Sequence, residues 1–287
     1  MSLCVAWRFA NKFCLASESC ITIGTEQRMC GVKVVQVPIR IIPAVDAQTQ
    51  QYSTVFESVF GFTFSGHFLT AYLVRELLSE ILFHLQYIGT RESLNFKTIC
   101  EVVFGVYNRI VADLNADGFG YDLDLILIGA CPAEHVPKAA QFFRDEADKT
   151  LKWKQVLEEF PFSYVAVGSG EVRFHEVFAS RRQTVREVHF AVLHSLQEIA
   201  DSREIPSVGG GVQYGEVEAG GEFRLFGTLD FVKRNARVDS VQLVQGVDLR
   251  SIYEGVGFND LHVHYDFISP YQAKRDRFLA ELLQDLK

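Results

Sequence analysis

Two interruptions in hydrophobic period constrain this chain more tightly than any other feature. From His67 to Ile88, the residues Leu69, Leu73, Leu77, Ile81, Leu85 and Ile88 fall three or four apart. Ile99, Val102, Val103, Val106, Ile110 and Leu114 repeat the stripe up to Asn115-Ala116-Asp117-Gly118. That spacing collects apolar side chains on one face of a helix and predicts an antiparallel helix pair. A second pair is predicted over 171–181 and 184–202, the latter striped by Val185, Val188, Val192, Leu196 and Ile199. A short helix from Tyr271 to Leu286 closes the chain.

The rest reads as strands. "LCVAWRF" and "KFCLASES" flank Ala10-Asn11 as a tight hairpin. "VKVVQVPIRIIPAV" gives one or two strands interrupted by Pro38, and "FGFTFSG" another. "YDLDLILIGACP" and "FSYVAVGSG" follow, with 149–156 a weaker candidate between them. After Gly209-Gly210-Gly211 come "VQYGEV", "EFRLFGTLDFV", "VDSVQLVQGV" and "DLHVHYDF". Helices grouped in pairs between strand blocks, rather than alternating singly with strands, predict an α+β fold: two antiparallel sheets face to face with helices outside.

Composition narrows the function. A net charge of -8 and a pI near 5.5 argue against a nucleic-acid partner, which calls for basic patches. The longest apolar runs, such as "LILIGACP", fall well short of the roughly 20 residues that cross a bilayer, so no membrane association is expected. No secretory leader is legible, which predicts a cytoplasmic protein. The six cysteines lie scattered without metal-ligand spacing and read as buried reduced thiols. No cofactor is called for. With no Pro/Ser-rich linker or long charge run, 1–287 reads as one domain.

The opening "SLCVAWRFANKFCLASESCITIG" starts the sheet one residue behind Met1. Together with later motifs, it resembles the proteasome β-subunit family and its bacterial HslV-type members, the N-terminal-nucleophile hydrolases. Their second strand reads roughly "G-V-V-L-A-A-D-S-R-x-T-x-G", and "KFCLASESCITIG" runs through it without a gap. The resemblance puts Ser2 on the catalytic threonine and Glu18 on the acidic position. Lys33 in "GVKVVQ" falls on the active-site lysine if one loop residue is deleted. "FSGH" matches the Ala-Gly turn before the first long helix, so Gly66 would supply the oxyanion amide. "YVAVGSG" resembles "A-x-G-S-G" and places Ser169, while "EIPSVGGGVQ" resembles "D-x-x-S-G-G-G-V" and places Glu204 and Ser207. These motifs cover roughly 2–217, which leaves 218–287 as an extension of the same domain.

The resemblance implies a four-layer αββα sandwich and a peptide-bond hydrolase. Once Met1 is removed, Ser2 Oγ would attack a carbonyl and the Ser2 α-amine would act as base. Lys33 would tune that amine, Glu18 would orient Lys33, and Ser169, Glu204 and Ser207 would hold the N-terminus. It further implies a peptide or unfolded-protein substrate, a homo-oligomeric ring and an ATP-dependent unfoldase. Serine in place of threonine loses the methyl that restricts χ1. Two alternatives stand beside this: a catalytically silent proteasome-fold assembly or scaffold protein, and a hydrolase of small non-peptide amides.

Three other features invite chemistry. His262, His264 and Asp266 share a face in "HVHYDF" and have the donor types for a divalent metal, although exposed strand alternation gives the same string. His67 reads as a helix N-terminal residue or a substrate contact. Gly209–Gly211 reads as a turn, since a P-loop's lysine is absent. The 24 phenylalanines predict apolar faces covered by other subunits.

Overall fold

The structure, a computed structural model, describes residues 2–23, 26–43, 54–88, 94–116, 123–234, 237–249 and 265–285. The opening hairpin joins β1 (Cys4–Phe9) to β2 (Lys12–Glu18), with Phe9 opposite Lys12. Ala10 turns the corner at φ 53°, and its N–H reaches Pro161 O at 2.9 Å. A minor hairpin follows, β3 (Ile21–Ile23) with β4 (Glu26–Arg28). Then come β5 (Val34–Pro43), β6 (Phe56–Gly66), α1 (Phe68–Phe83), β7 (Leu85–Tyr87) and α2 (Phe96–Ala116). The middle of the chain gives β8 (Leu123–Ala130), β9 (Pro137–Arg144), β10 (Leu151–Val156), β11 (Phe162–Val167), α3 (Glu171–Thr184) and α4 (Val188–Ser202). The last third gives β12 (Val212–Val217), β13 (Arg224–Arg234), β14 (Arg237–Val244), β15 (Val247–Asp248), β16 (Phe267–Ile268) and α5 (Gln272–Asp285).

Two sheets result. The first runs β11-β1-β2-β12-β13-β14-β15, with β16 parallel beside β13; the second runs β10-β9-β8-β6-β5-β7. Alternation along the strands sorts side chains into layers. Leu3, Val5 and Trp7 face α3 and α4, with Phe174, Val192 and Leu196 packed against them. Cys4 and Ala6 face inward, where Leu15, Ile126 and Ile128 fill the space between the sheets. Leu125 and Leu127 turn to the other outer layer with Val74, Leu78 and Val103. Three apolar layers between four structural layers make an αββα sandwich.

Several expectations change. The predicted first helix ends at Phe83, because Leu85–Tyr87 pair in parallel with Ile41–Pro43. Its buried face is Thr70, Ala71, Val74, Leu78 and Leu82, whereas Leu69, Leu73 and Leu77 are 54%, 45% and 41% exposed. The first three residues of the stripe that announced the helix therefore lie on its outer face, while Ile81 packs against the core. Pro38 interrupts nothing: β5 is one strand, and β7 covers only residues 41–43, so Pro38 borders an open edge on that side. β9 was not anticipated, as "PKAAQFFR" contains no β-branched residue. Of "DLHVHYDF", residues 260–264, His262 and His264 among them, lie outside the described residues, and of the described 265–267 Phe267 enters a strand. Among the described residues, no helix is long and apolar enough to cross a membrane.

The extension past residue 217 continues the first sheet. β13 pairs with β12 through Tyr214↔Phe226, and the buried Tyr271 hydroxyl accepts the Val212 N–H at 2.7 Å.

Candidate functional site

Glu18 ends β2 with its carboxylate fully buried, so its oxygens need partners from the fold. Oε1 accepts the Leu3 N–H at 3.1 Å and the Lys33 ammonium at 2.5 Å. Oε2 accepts the N–H of Cys20 at 2.6 Å and of Gly209 at 3.3 Å. Lys33, 1% exposed, lies just before β5 and donates its second bond to Ser2 Oγ at 2.7 Å. Three of the residues that sequence reasoning singled out thus form one chain, Glu18–Lys33–Ser2.

Ser2 is 5% exposed. Its nitrogen donates to Ser65 Oγ at 3.3 Å, and its carbonyl accepts from Ser65 Oγ and Ser169 Oγ, each at 3.5 Å. Ser169 also shares a 2.7 Å bond with Ser207, which brings both expected serines to the cluster. Gly168 allows this approach: at φ +101°, a Cβ there would lie 2.1 Å from Ser2 O and 2.2 Å from Ser65 Oγ. Glu204 stands apart, exposed and paired with Arg173 at 3.1 Å. Gly66 ends β6 next to Ser65 with φ 130°, and the hydrogen bonds to Ser2 from this strand come from Ser65.

Sequence reasoning missed four contributors. Ser65 is one. Gln213 is buried in β12, and its Oε1 accepts the N–H of Lys33 at 2.8 Å and of Val34 at 3.0 Å, fixing the turn that delivers the lysine. The glycine run does more than turn the chain: Gly209 N–H serves Glu18, and Gly211 N–H reaches Ser19 Oγ at 2.8 Å. Gly210, at φ +81°, has no room for a side chain, since a Cβ would lie 2.4 Å from Ser19 Oγ. Cys4 lies beneath the site with Sγ 2.7 Å from Phe64 O, and burial pushes its thiol up to about 11.

His67 caps α1, its side chain accepting the Thr70 N–H at 3.4 Å, which is the helix-terminal role. Burial lowers its imidazole pKa. Among the described residues, no group of three His, Cys, Asp or Glu side chains is placed to hold a metal.

This arrangement holds a hydroxyl, an ammonium and a carboxylate in line, with both ions removed from water. With Met1 attached, the Ser2 nitrogen is an amide and carries no basic lone pair.

No protein-family model and no curated protein matches the chain. Solved structures do. Anbu (ancestral beta-subunit) from Yersinia bercovieri aligns at 13% identity over 78% of this chain and 86% of that one, with a TM-score of 0.53. An Anbu (Gly-1) mutant from Hyphomicrobium sp. strain MC1 aligns at 15% identity over 91% and 100%, TM-score 0.53. A structure of the helical assembly of the Anbu complex from Pseudomonas aeruginosa aligns at 14% identity over 99% and 95%, TM-score 0.52.

These likenesses correct the expected activity. The match runs to Anbu, an ancestral β-subunit, and not specifically to proteasome β-subunits or HslV. The expectation of a peptide-bond hydrolase of the threonine/serine type is corrected here: the structures matched are of Anbu, and at 13–15% identity they share the fold and carry no hydrolase activity over to this chain. With it go the labels hydrolase and protease. What stands is the architecture: an α+β, proteasome-like αββα fold in remote structural relation to Anbu.

Proposed function

We propose that the chain is a catalytically silent, proteasome-fold assembly protein that associates with copies of itself. The observation that carries this is the fold it shares with Anbu, one structure of which is a helical assembly. The outward stripe Leu69, Leu73 and Leu77 on α1 supports it, since apolar faces of this kind are usually covered by contacts. A repeated interface of one chain closes into a ring or winds into a helix according to its rotation. The ring expected from sequence is one of those two outcomes. Six unpaired cysteines agree with a reducing, cytoplasmic setting. The peptide substrate and the unfoldase were consequences of hydrolysis and are not carried forward.

In this reading, Ser2, Lys33 and Glu18 hold the fold together. They tie the start of β1, the end of β2, the lead into β5 and the 207–211 loop to one buried point. Native mass spectrometry before and after incubation with a peptide epoxyketone tests the proposal. The expected spectrum is a multiple of the 32.4 kDa chain with no adduct. A monomer at working concentration, or an adduct that disappears in Ser2→Ala, overturns it.

A further inference from the structure

A cavity of about 310 Å³ lies between the two sheets, at the end of the sandwich where the β1–β2 hairpin turns. Phe13, Val136 and Leu157 give it apolar walls, and Arg8, Asn11 and Gln155 bring polar groups to the same space. That size is at the lower bound of small-molecule sites. The Arg8 side chain is held in place. Its Nε–H donates to Ala10 O and an Nη1–H to Glu158 O, each at 3.1 Å. Its guanidinium carbon also lies 5.4 Å and 5.2 Å from the ring centres of Phe13 and Phe160, within cation–π range. Leu157, which precedes the Glu158 carbonyl, takes φ 64°, a costly conformation for a leucine.

The fold engages only part of this cation. A guanidinium carries five N–H donors, so the two carbonyls leave the rest of the fork, both donors of Nη2 included, for another acceptor. Among the described residues, no carboxylate pairs with Arg8. Lys138, on the same wall, spends its ammonium on Glu134 at 2.6 Å, and the Glu158 side chain is exposed to water. The half-buried Gln155 amide and the exposed Asn11 amide are likewise engaged by no other described residue.

We propose that this cavity binds a small monocarboxylate with an apolar body. Its carboxylate pairs with the free donors of Arg8, flanked by the Asn11 and Gln155 amides, and its body lies against Phe13, Val136 and Leu157. A planar fork matches a carboxylate in shape and charge, and a guanidinium already fixed by the fold loses little freedom when it binds. A phosphate dianion fits poorly, because Arg8 is the one cation lining the cavity that is not paired with a carboxylate. A cationic ligand would have to rely on Glu158, whose exposed charge is screened. Arg8 lies roughly 20 Å along β1 from Ser2, at about 3.3 Å per residue, so the site is separate from the Ser2 cluster and from any test of self-assembly.

Equilibrium dialysis of the full chain against benzoate, benzamide, benzylamine and inorganic phosphate tests it. One benzoate per chain should bind, about tenfold more tightly than benzamide, its uncharged counterpart, the effect of a charge-assisted pair. Benzylamine and phosphate should bind more weakly than benzoate. Added salt should weaken benzoate and leave benzamide unchanged. Arg8→Gln should erase most of the preference for benzoate over benzamide. Gln155→Ala, at a half-buried side chain on an edge strand, should weaken benzoate without disturbing the fold. Absence of saturable binding, equal affinity for benzoate and benzamide, a benzoate affinity indifferent to salt, or tightest binding of benzylamine or phosphate overturns the proposal. So does a preference that survives Arg8→Gln in folded protein. If Arg8→Gln fails to fold, the ligand series on the unaltered chain and on Gln155→Ala decides, and benzoate binding that Gln155→Ala leaves unchanged overturns the proposal.

Discussion

The Ser2 cluster and the cavity beside α4 that His194 and Ser269 line both bury polar groups against an apolar core, and they treat them in opposite ways. Around Glu18, two carboxylate oxygens receive three backbone N–H groups and an ammonium, and that ammonium also meets Ser2. Around His194 and Ser269, two buried atoms receive nothing. A closed network fixes chain segments relative to one another, whereas an unpaired buried atom only adds its desolvation cost.

The comparison breaks most visibly at Lys33. Replacing it with Met keeps most of the volume and leaves the Glu18 carboxylate buried without its cation, a change expected to destabilise by about 3–5 kcal/mol. Urea titration measures it. Adding Glu18→Gln to Lys33→Met should cost less than the sum of the two single changes, since the bare charge is removed. Additive losses would mean the pair is not a coupled unit.

Acid sharpens the other half. His189 and His194 are both held below the ordinary imidazole value, chiefly by burial; Glu216, Lys12 and Glu187 also act on His189, and Arg181 on His194. The folded state then binds fewer protons than the unfolded state. Their contribution to stability is complete above the unfolded value of about 6.5 and is lost as pH falls through 6.5 toward the lowered folded value. Protonating His189 also removes the acceptor of Trp7 Nε1–H, so indole fluorescence should report the same transition. A flat stability profile between pH 7.5 and 5.5 would contradict both shifts.

The smallest effect belongs to Glu204. Sequence reasoning put it beside Ser207, yet it forms an exposed ion pair with Arg173. Glu204→Gln should change stability by about 0–1 kcal/mol, against several for Lys33→Met. A loss as large as that of Lys33→Met, by the same urea titration, would bring Glu204 back into the cluster.

Much of this fold was legible in the chain. The hairpin of "LCVAWRF" and "KFCLASES" and the strand in "YDLDLILIGACP" were read from their apolar composition, and the paired helix stripes argued against a parallel doubly wound sheet. That Glu18, Lys33, Ser2, Ser169 and Ser207 lie together was also legible, through motif order. β9 was not, because it is held by pairing on both edges and not by its own β-propensity. Nor was the outward turn of Leu69, Leu73 and Leu77: period reports that a helix has an apolar face, and α1 has two. Gln213, Ser65 and Tyr271 carry no local signal at all.

Sequence by itself determined what depends on neighbours along the chain: hairpin, helix pairs, most strands and the identities of the ionisable residues. Tertiary structure alone decided which polar groups meet. Lys33 and Glu18 are separated by 15 positions, Gly209 and Glu18 by 191, and His194 and Ser269 share a cavity with no period to announce it. Hydrogen bonds and desolvation act over a few ångströms in space, so whether a buried group is paired, and hence whether a site is closed or open, is settled only when distant segments pack.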